Sequence, residues 1–242
     1  MDNYEFCVEY AVARANGRPL KVLDYGCGRG LMVRRMRDRG VDAYGCEVFY
    51  GGGDVSTEVP GDMLGRTVLE MRDGVVPFPD RTFDLVINNQ VMEHVVDLDQ
   101  ALDEIHRVLT PSGAVLSLFP DRLVWREGHC GVPFLHWFPK GSRLRVYYAF
   151  AFRCAGFGYH KGTTSRWQWA NQWCDWLDRW THYRSYDDIV ASYRRRFSTL
   201  QHIEADWFVA RTGAWAKWIP ANLRSFAARY LAHLTFECRD PV

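Results

Sequence analysis

The sequence lacks the features by which several classes of protein are recognised from composition. It has almost no net charge, with 30 Lys and Arg against 29 Asp and Glu, so overall electrostatics do not indicate a general nucleic-acid binder. No apolar run approaches the length of a membrane span, and residues 1–5 lack the basic and apolar layout of a signal peptide. We therefore expect a cytoplasmic protein without a transmembrane segment.

Paired cysteines are also missing. The seven cysteines are an odd number, and no two of them have the C-x-x-C spacing of a zinc or redox motif. They are interpreted as reduced thiols, and no metal site is predicted. The cysteines are Cys7, Cys27, Cys46, Cys130, Cys154, Cys174 and Cys238.

Tryptophan is absent from the first half of the chain. All 10 tryptophans lie at or after Trp125, although 48% of the 242 residues are hydrophobic. A chain of this length forms one domain, or one domain with a sizeable insertion. The uneven distribution of aromatic residues predicts that the two halves have different tasks.

The first half alternates short apolar runs with helical patterns, which is typical of β-α-β units and a mainly parallel sheet. A helix is predicted over residues 98–109. The predicted strands cover residues 21–25, 43–46, 68–72, 83–89 and 114–119.

A glycine loop, GCGRG at residues 26–30, follows the first predicted strand. Glycines at such a junction let the backbone approach a ligand, although a glycine turn alone is equally compatible with a purely structural role. The dinucleotide fingerprint G-x-G-x-x-G is not met, because its last glycine would fall at Leu31. Asp24 precedes the loop and would repel a pyrophosphate, so a ligand with a cationic end is favoured over a nicotinamide cofactor.

Several separate motifs together resemble the class I S-adenosylmethionine-dependent methyltransferases over roughly residues 20–120. The resemblance is specific because the motifs agree in order and spacing. They are VLDYGCGRG at 22–30, Glu47, DG at 73–74 before PFPD at 77–80, FDLV at 83–86, VMEHV at 91–95 and LTPSG at 109–113.

The resemblance implies S-adenosylmethionine as cofactor and assigns its methionine end to the glycine loop. Gly26, Cys27 and Gly28 are expected to line that end of the cofactor, and Asp24 is expected near its ammonium group.

The remaining cofactor residues follow from the later motifs. Glu47 is expected to accept both ribose hydroxyls, since a carboxylate offers two oxygens to a vicinal diol. Asp73 is expected to accept from the adenine amino group beside Gly74, although these two residues are also compatible with a simple turn. Asn89 and Gln90 are expected to face the reacting sulfonium.

In the second half of the chain, the last two strands of such a fold are predicted late in the sequence. A helix capped at Ser185 and a strand at residues 200–208 are predicted, then a helix after Pro220 and a strand at 235–238. The prediction is therefore one α/β domain, residues 1–242. It has a seven-stranded, mainly parallel Rossmann-like sheet, helices on both faces and a helical, aromatic insertion after strand 5.

This insertion, residues 121–183, is predicted to be a substrate lid. It holds 16 of the 36 aromatic residues. Trp169, Trp173, Trp176 and Trp180 share one helical face, which favours packing on the core over direct stacking on a substrate.

The insertion is also locally basic. Residues 121–166 include eight basic residues but only two acidic ones. This surplus is compatible with a solvated surface or with an anionic acceptor. The acceptor classes left open are a small molecule, a glycan and a lipid-type molecule. Peripheral membrane contact is also open, whereas nucleic acid is disfavoured.

Two histidines of the insertion, His129 and His136, are the candidate catalytic bases. They lie in a Gly- and Pro-containing loop that follows the fifth strand, and a neutral imidazole can take a hydroxyl proton as methyl moves. This favours O-methylation, with packed structural histidines as the alternative for both. An N- or C-methyltransferase and a non-catalytic cofactor-binding protein with a partner surface on the lid remain open, as does the oligomeric state. His94 is expected to support loop packing.

Overall fold

A computed structural model describes residues 1–49, 51, 54–162 and 164–241 of the protein. Its centre is a seven-stranded sheet with the strand order β3-β2-β1-β4-β5-β7-β6. The strands are β1 (Lys21–Tyr25), β2 (Asp42–Glu47), β3 (Val68–Glu70), β4 (Phe83–Asn89), β5 (Leu109–Phe119), β6 (Phe197–His202) and β7 (Leu234–Pro241).

The α-helices of the described residues flank this sheet or form the insertion. They are α1 (Asn3–Ala15), α2 (Leu31–Asp38), α3 (Leu98–Val108), α4 (Arg143–Cys154), α5 (Arg166–Trp180), α6 (Tyr186–Arg194), α7 (Glu204–Thr212) and α8 (Ala221–Leu231).

Only β7 runs antiparallel to its neighbours, so the predicted seven-stranded, mainly parallel sheet is confirmed. Successive residues of the central strands enter opposite cores, as the two-residue period of a strand requires. In β4, Val86 packs with α3 and α6, whereas Leu85 and Ile87 pack with α1 and α2. The sheet is therefore covered on both faces.

The strand predicted at residues 200–208 is wrong in its second part. β6 ends at His202, and α7 begins at Glu204. The aromatic and branched residues around Phe208 favour a strand locally, but Ile203 and Trp207 stand four residues apart and both pack in the same core. Both side chains can enter the same core because residues four apart lie on one face of a helix.

Boundaries of other strands also differ from the prediction. β3 is shorter than predicted and ends at Glu70, at the edge of the sheet. β5 is longer and begins at Leu109, where its pairing with Phe83 precedes a register shift. Residues 110–113 of the LTPSG motif therefore lie within the bounds of that strand.

Residues 121–183 leave the sheet after β5 and form a hydrophobic core of their own. Helices α4 and α5 supply most of it, and Trp169 is 2% exposed. Trp173 and Trp176 pack against the same cluster, with ring centroids 5.6 Å apart. The tryptophan face thus packs within the insertion, while Trp180 at its end lines the cavity described below.

The guanidinium of Arg184 fastens the end of this insertion to the loop after β4. It donates to the carbonyl oxygens of Met92, Val95 and Val96 at 3.0, 2.6 and 2.9 Å. Buried Asp121, at the start of the insertion, pairs with Arg229 of α8 at 2.6 Å. Both ends of the insertion are therefore held against the sheet domain.

Among the described residues, every helix is too short or too polar to span a bilayer.

A buried polar chain links the sheet to α6 and gives a test of the fold. Asn88 of β4 donates to the Ser117 hydroxyl at 2.9 Å, and that hydroxyl lies 2.9 Å from the hydroxyl of Tyr193. We expect Tyr193→Phe to lower the free energy of unfolding by about 1–2 kcal/mol, because a buried polar group loses its partner. Urea denaturation measures the change.

The matched control is Tyr147→Phe, because this tyrosine is 52% exposed on α4. Its effect is expected to stay within about 0.5 kcal/mol. Equal losses in the two variants would contradict a specific role of the buried chain.

Candidate functional site

A cavity of about 1100 Å³ opens at the carboxyl ends of β1, β2 and β4. The strand order reverses here, since the chain continues outward from β1 to β3 and then returns to place β4 on the other side of β1. Open α/β sheets bind ligands in the crevice at such a point. Residues 25–31 and Glu47, Asn89 and Gln90 line it, all at strand ends.

The glycine loop gives the cavity a floor of backbone. Gly26 has φ +76°, and a Cβ at this position would lie 2.4 Å from the Cγ2 of Val91. Gly28 has φ +53° with open space around the position of its Cβ. The first glycine is therefore required by packing and by conformation, and the second by conformation.

Glu47 connects the ends of β1 and β2. Its carboxylate accepts hydrogen bonds from the amides of Gly28 at 2.7 Å and Val48 at 2.8 Å. These bonds hold the side chain in the cavity wall, and each oxygen retains a lone pair for a hydroxyl group. The structure thus places the Glu47 carboxylate beside the glycine loop.

Asp24 lies buried on β1, two residues before the loop, and is not among the residues that line the cavity. Burial and the nearby charge of Glu47 raise the pKa of its carboxyl well above the usual range. A cation at this end of the cavity would relieve that unfavourable burial.

Of the other predicted cofactor residues, all but one line the cavity. Cys27, Gly74, Asn89 and Gln90 line the cavity. Asp73 is exposed with φ +53° and is not among the lining residues.

Helix α1 closes one side of the cavity, although the sequence reasoning did not include it. Tyr4 lines the cavity, and Asn3 donates to the Asn89 side chain at 3.3 Å. The available signal was Asp2, which caps the helix, followed by apolar residues at helical spacing. The N-terminal segment therefore belongs to the site.

The opposite wall comes from the loop after β4 and from the end of the insertion. His94 belongs to the first of these segments, and Arg179, Trp180 and His182 belong to the second. Residues 121–183 thus contribute directly to the cavity, through Trp180 of the predicted tryptophan face and through Arg179 and His182, which no sequence pattern indicated.

His129, one of the predicted bases, lies behind this wall. Its Nδ1 is 2.6 Å from a carboxylate oxygen of Glu127, and its Nε2 is 3.2 Å from the Nε2 of His94. Burial alone would lower the pKa of His129, but the hydrogen bond and charge of Glu127 outweigh it and raise this pKa. The ring is not among those lining the cavity, so it reaches the cavity only through His94.

His94 has a defined tautomer. Its Nδ1 lies 2.6 Å from the backbone carbonyl of Trp180, which only accepts, so Nδ1 carries the proton. Burial, with a smaller contribution from the charge of His129, lowers the pKa of His94 to about 4. Its Nε2 therefore faces His129 as an acceptor.

His136, the other predicted base, is 7% exposed and is not among the lining residues. Its ring packs on Tyr183 with centroids 4.4 Å apart, and burial lowers its pKa to about 4. The structure does not bring it to the cavity.

His182 is the further imidazole of the wall. Its amide donates to the Glu93 carbonyl at 2.6 Å, which fixes the backbone at the end of the insertion. Burial, together with the charges of Lys140 and Arg184, lowers the pKa of His182. No short motif marks it in the sequence, because its position depends on where the insertion returns to the sheet.

A smaller cavity of about 500 Å³ lies in the insertion. Arg126 and residues 155–161 line it, and no strand of the sheet contributes. The larger cavity is therefore the candidate site.

The chain is similar to known methyltransferases over most of its length. A family model described as a methyltransferase domain matches residues 2–197. A malonyl-[acyl-carrier protein] O-methyltransferase of Pseudescherichia vulneris is 33% identical over 98 residues, 40% of this chain and 38% of that protein. A ubiquinone biosynthesis O-methyltransferase of Bartonella bacilliformis is 27% identical over 128 residues, 51% of each chain. The chain therefore spans about half or less of these curated relatives.

Solved structures share the fold over nearly the whole chain. An S-adenosylmethionine dependent methyltransferase from Mesorhizobium loti gives a TM-score of 0.54 at 15% identity, with 98% of this chain and 100% of that chain covered. A geranyl diphosphate methyltransferase, solved with GPP and sinefungin, gives 0.51 at 13% identity, with coverages of 98% and 77%. At these identities the likeness concerns the fold alone.

The glycine floor gives a test of the site geometry. We expect Gly26→Ala to destabilise the protein more than Gly28→Ala, because both incur left-handed strain of about 1–2 kcal/mol but only the first displaces Val91. Urea denaturation of both variants measures the difference.

A double-mutant cycle with Val91→Ala isolates the contact. The second substitution is expected to recover part of the loss in Gly26→Ala. Strictly additive effects of the two substitutions would contradict a direct clash.

Proposed function

The chain belongs to the methyltransferase-domain family, and we propose that it transfers the methyl group of S-adenosylmethionine to an oxygen of a small-molecule acceptor. The observation that carries the proposal is the single cavity that joins the glycine loop and Glu47 to a wall of imidazole, indole and guanidinium groups. Its volume of about 1100 Å³ exceeds the range of roughly 300–1000 Å³ typical of one ligand, so it suits a cofactor with an acceptor beside it.

The residues at the strand ends fit the proposed cofactor. The backbone floor at Gly26 and Gly28 leaves room for its methionine part, and buried Asp24 would be compensated by its ammonium group. Glu47 would hold the ribose hydroxyls, and Asn89 and Gln90 would border the sulfonium. When bound, S-adenosylmethionine supplies an electrophilic methyl group. The protein contributes mainly alignment and exclusion of water.

Asp73 is proposed to accept from the adenine amino group beside Gly74. Gly74 lines the cavity, which supports this end of the assignment. The exposed carboxylate of Asp73 would have to turn toward the cofactor when it binds.

Oxygen is favoured as the acceptor atom because two relatives are named O-methyltransferases and because the wall carries imidazoles. We propose that His182 takes the hydroxyl proton, since this residue is among those that line the cavity. His129 would act only through His94, and His136 is a packing residue in this proposal.

An acceptor with negative charge is supported by Arg34 and Arg179, which line the cavity. Other basic residues of the insertion make contacts within the insertion instead. Arg145 pairs with Asp178, and Arg153 stacks over Trp169 at 5.6 Å. Residues 121–183 are proposed to act as the substrate lid through their returning end.

A reducing, cytoplasmic location is also proposed. All seven cysteines are free thiols, and six of them are buried. This supports a protein that folds without disulfide bonds.

Turnover tests the proposal directly. Purified protein with S-adenosylmethionine and a panel of hydroxylated small molecules, glycans and lipid-type acceptors is expected to form S-adenosylhomocysteine, measured by mass spectrometry. Glu47→Gln is expected to raise the KM for S-adenosylmethionine at least about 10-fold, because the amide offers one acceptor oxygen to the diol.

Glu70→Gln is the matched control. Glu70 ends the neighbouring strand β3 but pairs with Arg72 outside the cavity. Cofactor binding by calorimetry without turnover on the panel would favour a non-catalytic cofactor-binding protein. Tight NADH binding without S-adenosylmethionine binding would overturn the cofactor assignment.

The proposed base has a separate test. We expect His182→Ala to lower kcat about 100-fold with little change in cofactor affinity, because proton transfer by a positioned base contributes about 10²–10⁴-fold. His136→Ala is expected to lower stability but leave kcat of the folded protein within about twofold. If His136→Ala lowered kcat with the active acceptor more than His182→Ala did, His136 would be the base instead.

A further inference from the structure

Three potential metal ligands meet behind the cavity wall. Glu93 and His94 come from the loop after β4, and His129 comes from the insertion, 35 residues beyond His94. One carboxylate oxygen and one nitrogen from each ring all lie within 4.8 Å of one another. The two Nε2 atoms are 3.2 Å apart.

This separation suits two ligands of one ion. Imidazole nitrogens bound to Zn²⁺ at about 2.1 Å with a tetrahedral angle lie about 3.4 Å apart. The observed rings therefore need to move only by tenths of an ångström to share an ion.

Each ring is oriented through its other nitrogen. The Nδ1 of His129 donates to the buried Glu127 carboxylate at 2.6 Å, and the Nδ1 of His94 donates to the Trp180 carbonyl at 2.6 Å. Metal-binding histidines are held in this way, by a carboxylate or a backbone carbonyl on the non-coordinating nitrogen. The partners direct both Nε2 atoms toward the same point.

The carboxylate of Glu93 supplies an independent indication. The side chain is 2% exposed, and neither oxygen accepts a hydrogen bond from another described residue. Buried carboxylates are normally paired or bound to a metal, since their desolvation is otherwise uncompensated. The backbone of this residue is fixed by His182, whose amide donates to the Glu93 carbonyl.

We propose that Glu93, His94 and His129 bind one divalent transition-metal ion, with Zn²⁺ as the ion that the donor set suits. Two imidazoles and one carboxylate match Zn²⁺ and its neighbours in the first transition row, whereas Mg²⁺ and Ca²⁺ prefer oxygen ligands. No sequence motif indicated the site, because its ligands come from two segments that only the fold joins.

The site adjoins the proposed acceptor position without depending on methyl transfer. His94 lines the cavity, so the ion would lie at the wall of the same cavity. An ion placed there can polarise an acceptor oxygen. Metal binding is nevertheless measurable without S-adenosylmethionine or acceptor, so failure of the proposed function would leave the following test intact.

The test is titration of metal-free protein with Zn²⁺ by calorimetry and with Co²⁺ by visible absorption. We expect one ion per chain, and a Co²⁺ spectrum of a low-symmetry site with nitrogen ligands. Glu93→Gln and His129→Ala are expected to weaken binding at least about 100-fold. Glu127→Gln keeps all three ligands but replaces the carboxylate that orients the His129 ring, and it is expected to weaken binding about 10–100-fold.

His160→Asn is the matched control. His160 is an exposed histidine of the insertion, and asparagine tolerates its φ of +51°. This variant is expected to bind like the unchanged protein, with circular dichroism confirming that every variant is folded. The proposal would be overturned if the unchanged protein bound no metal ion. It would also be overturned if Glu93→Gln and His129→Ala bound the ion as tightly as the unchanged protein.

Discussion

The buried carboxylate of Glu127 organises the part of the molecule on which the site depends. It accepts hydrogen bonds from the amides of His129 and Cys130 at 2.9 Å each, from the His129 ring at 2.6 Å and from the Tyr183 hydroxyl at 2.8 Å. Removing such a group from water costs several kcal/mol, which only a full set of partners offsets. The beginning and the end of the insertion are therefore held together by one charge.

This constraint reaches the cavity through two further contacts. Glu127 orients His129 against His94, and Arg184 binds the carbonyl oxygens of the loop that contains His94. The loop after β4 is consequently fixed between the sheet and the insertion. The wall of the cavity is a joint product of both parts, whereas its floor belongs to the sheet alone.

Burial separates histidines that look alike in the sequence. His136 packs against Tyr183 away from the cavity, His129 is paired with Glu127, and His182 reaches the wall. Their distances along the chain from the fifth strand carry no information about these differences. In the sequence, His129 and His136 are the candidates because their loop directly follows that strand. His182 carries no such indication, because its position depends on the path of the insertion back to the sheet.

The sequence by itself determined the sheet, its faces and the glycine loop that forms the floor of the cavity. Short-range patterns are sufficient for these, because strand alternation and glycine at positive φ act within a few residues, as at Val86 and Gly26. The same local patterns misplaced the end of β6, where the shared burial of Ile203 and Trp207 prevailed. Only the tertiary structure decided which groups of the insertion meet His94, because contacts across 35 and 86 residues depend on packing that no local period encodes.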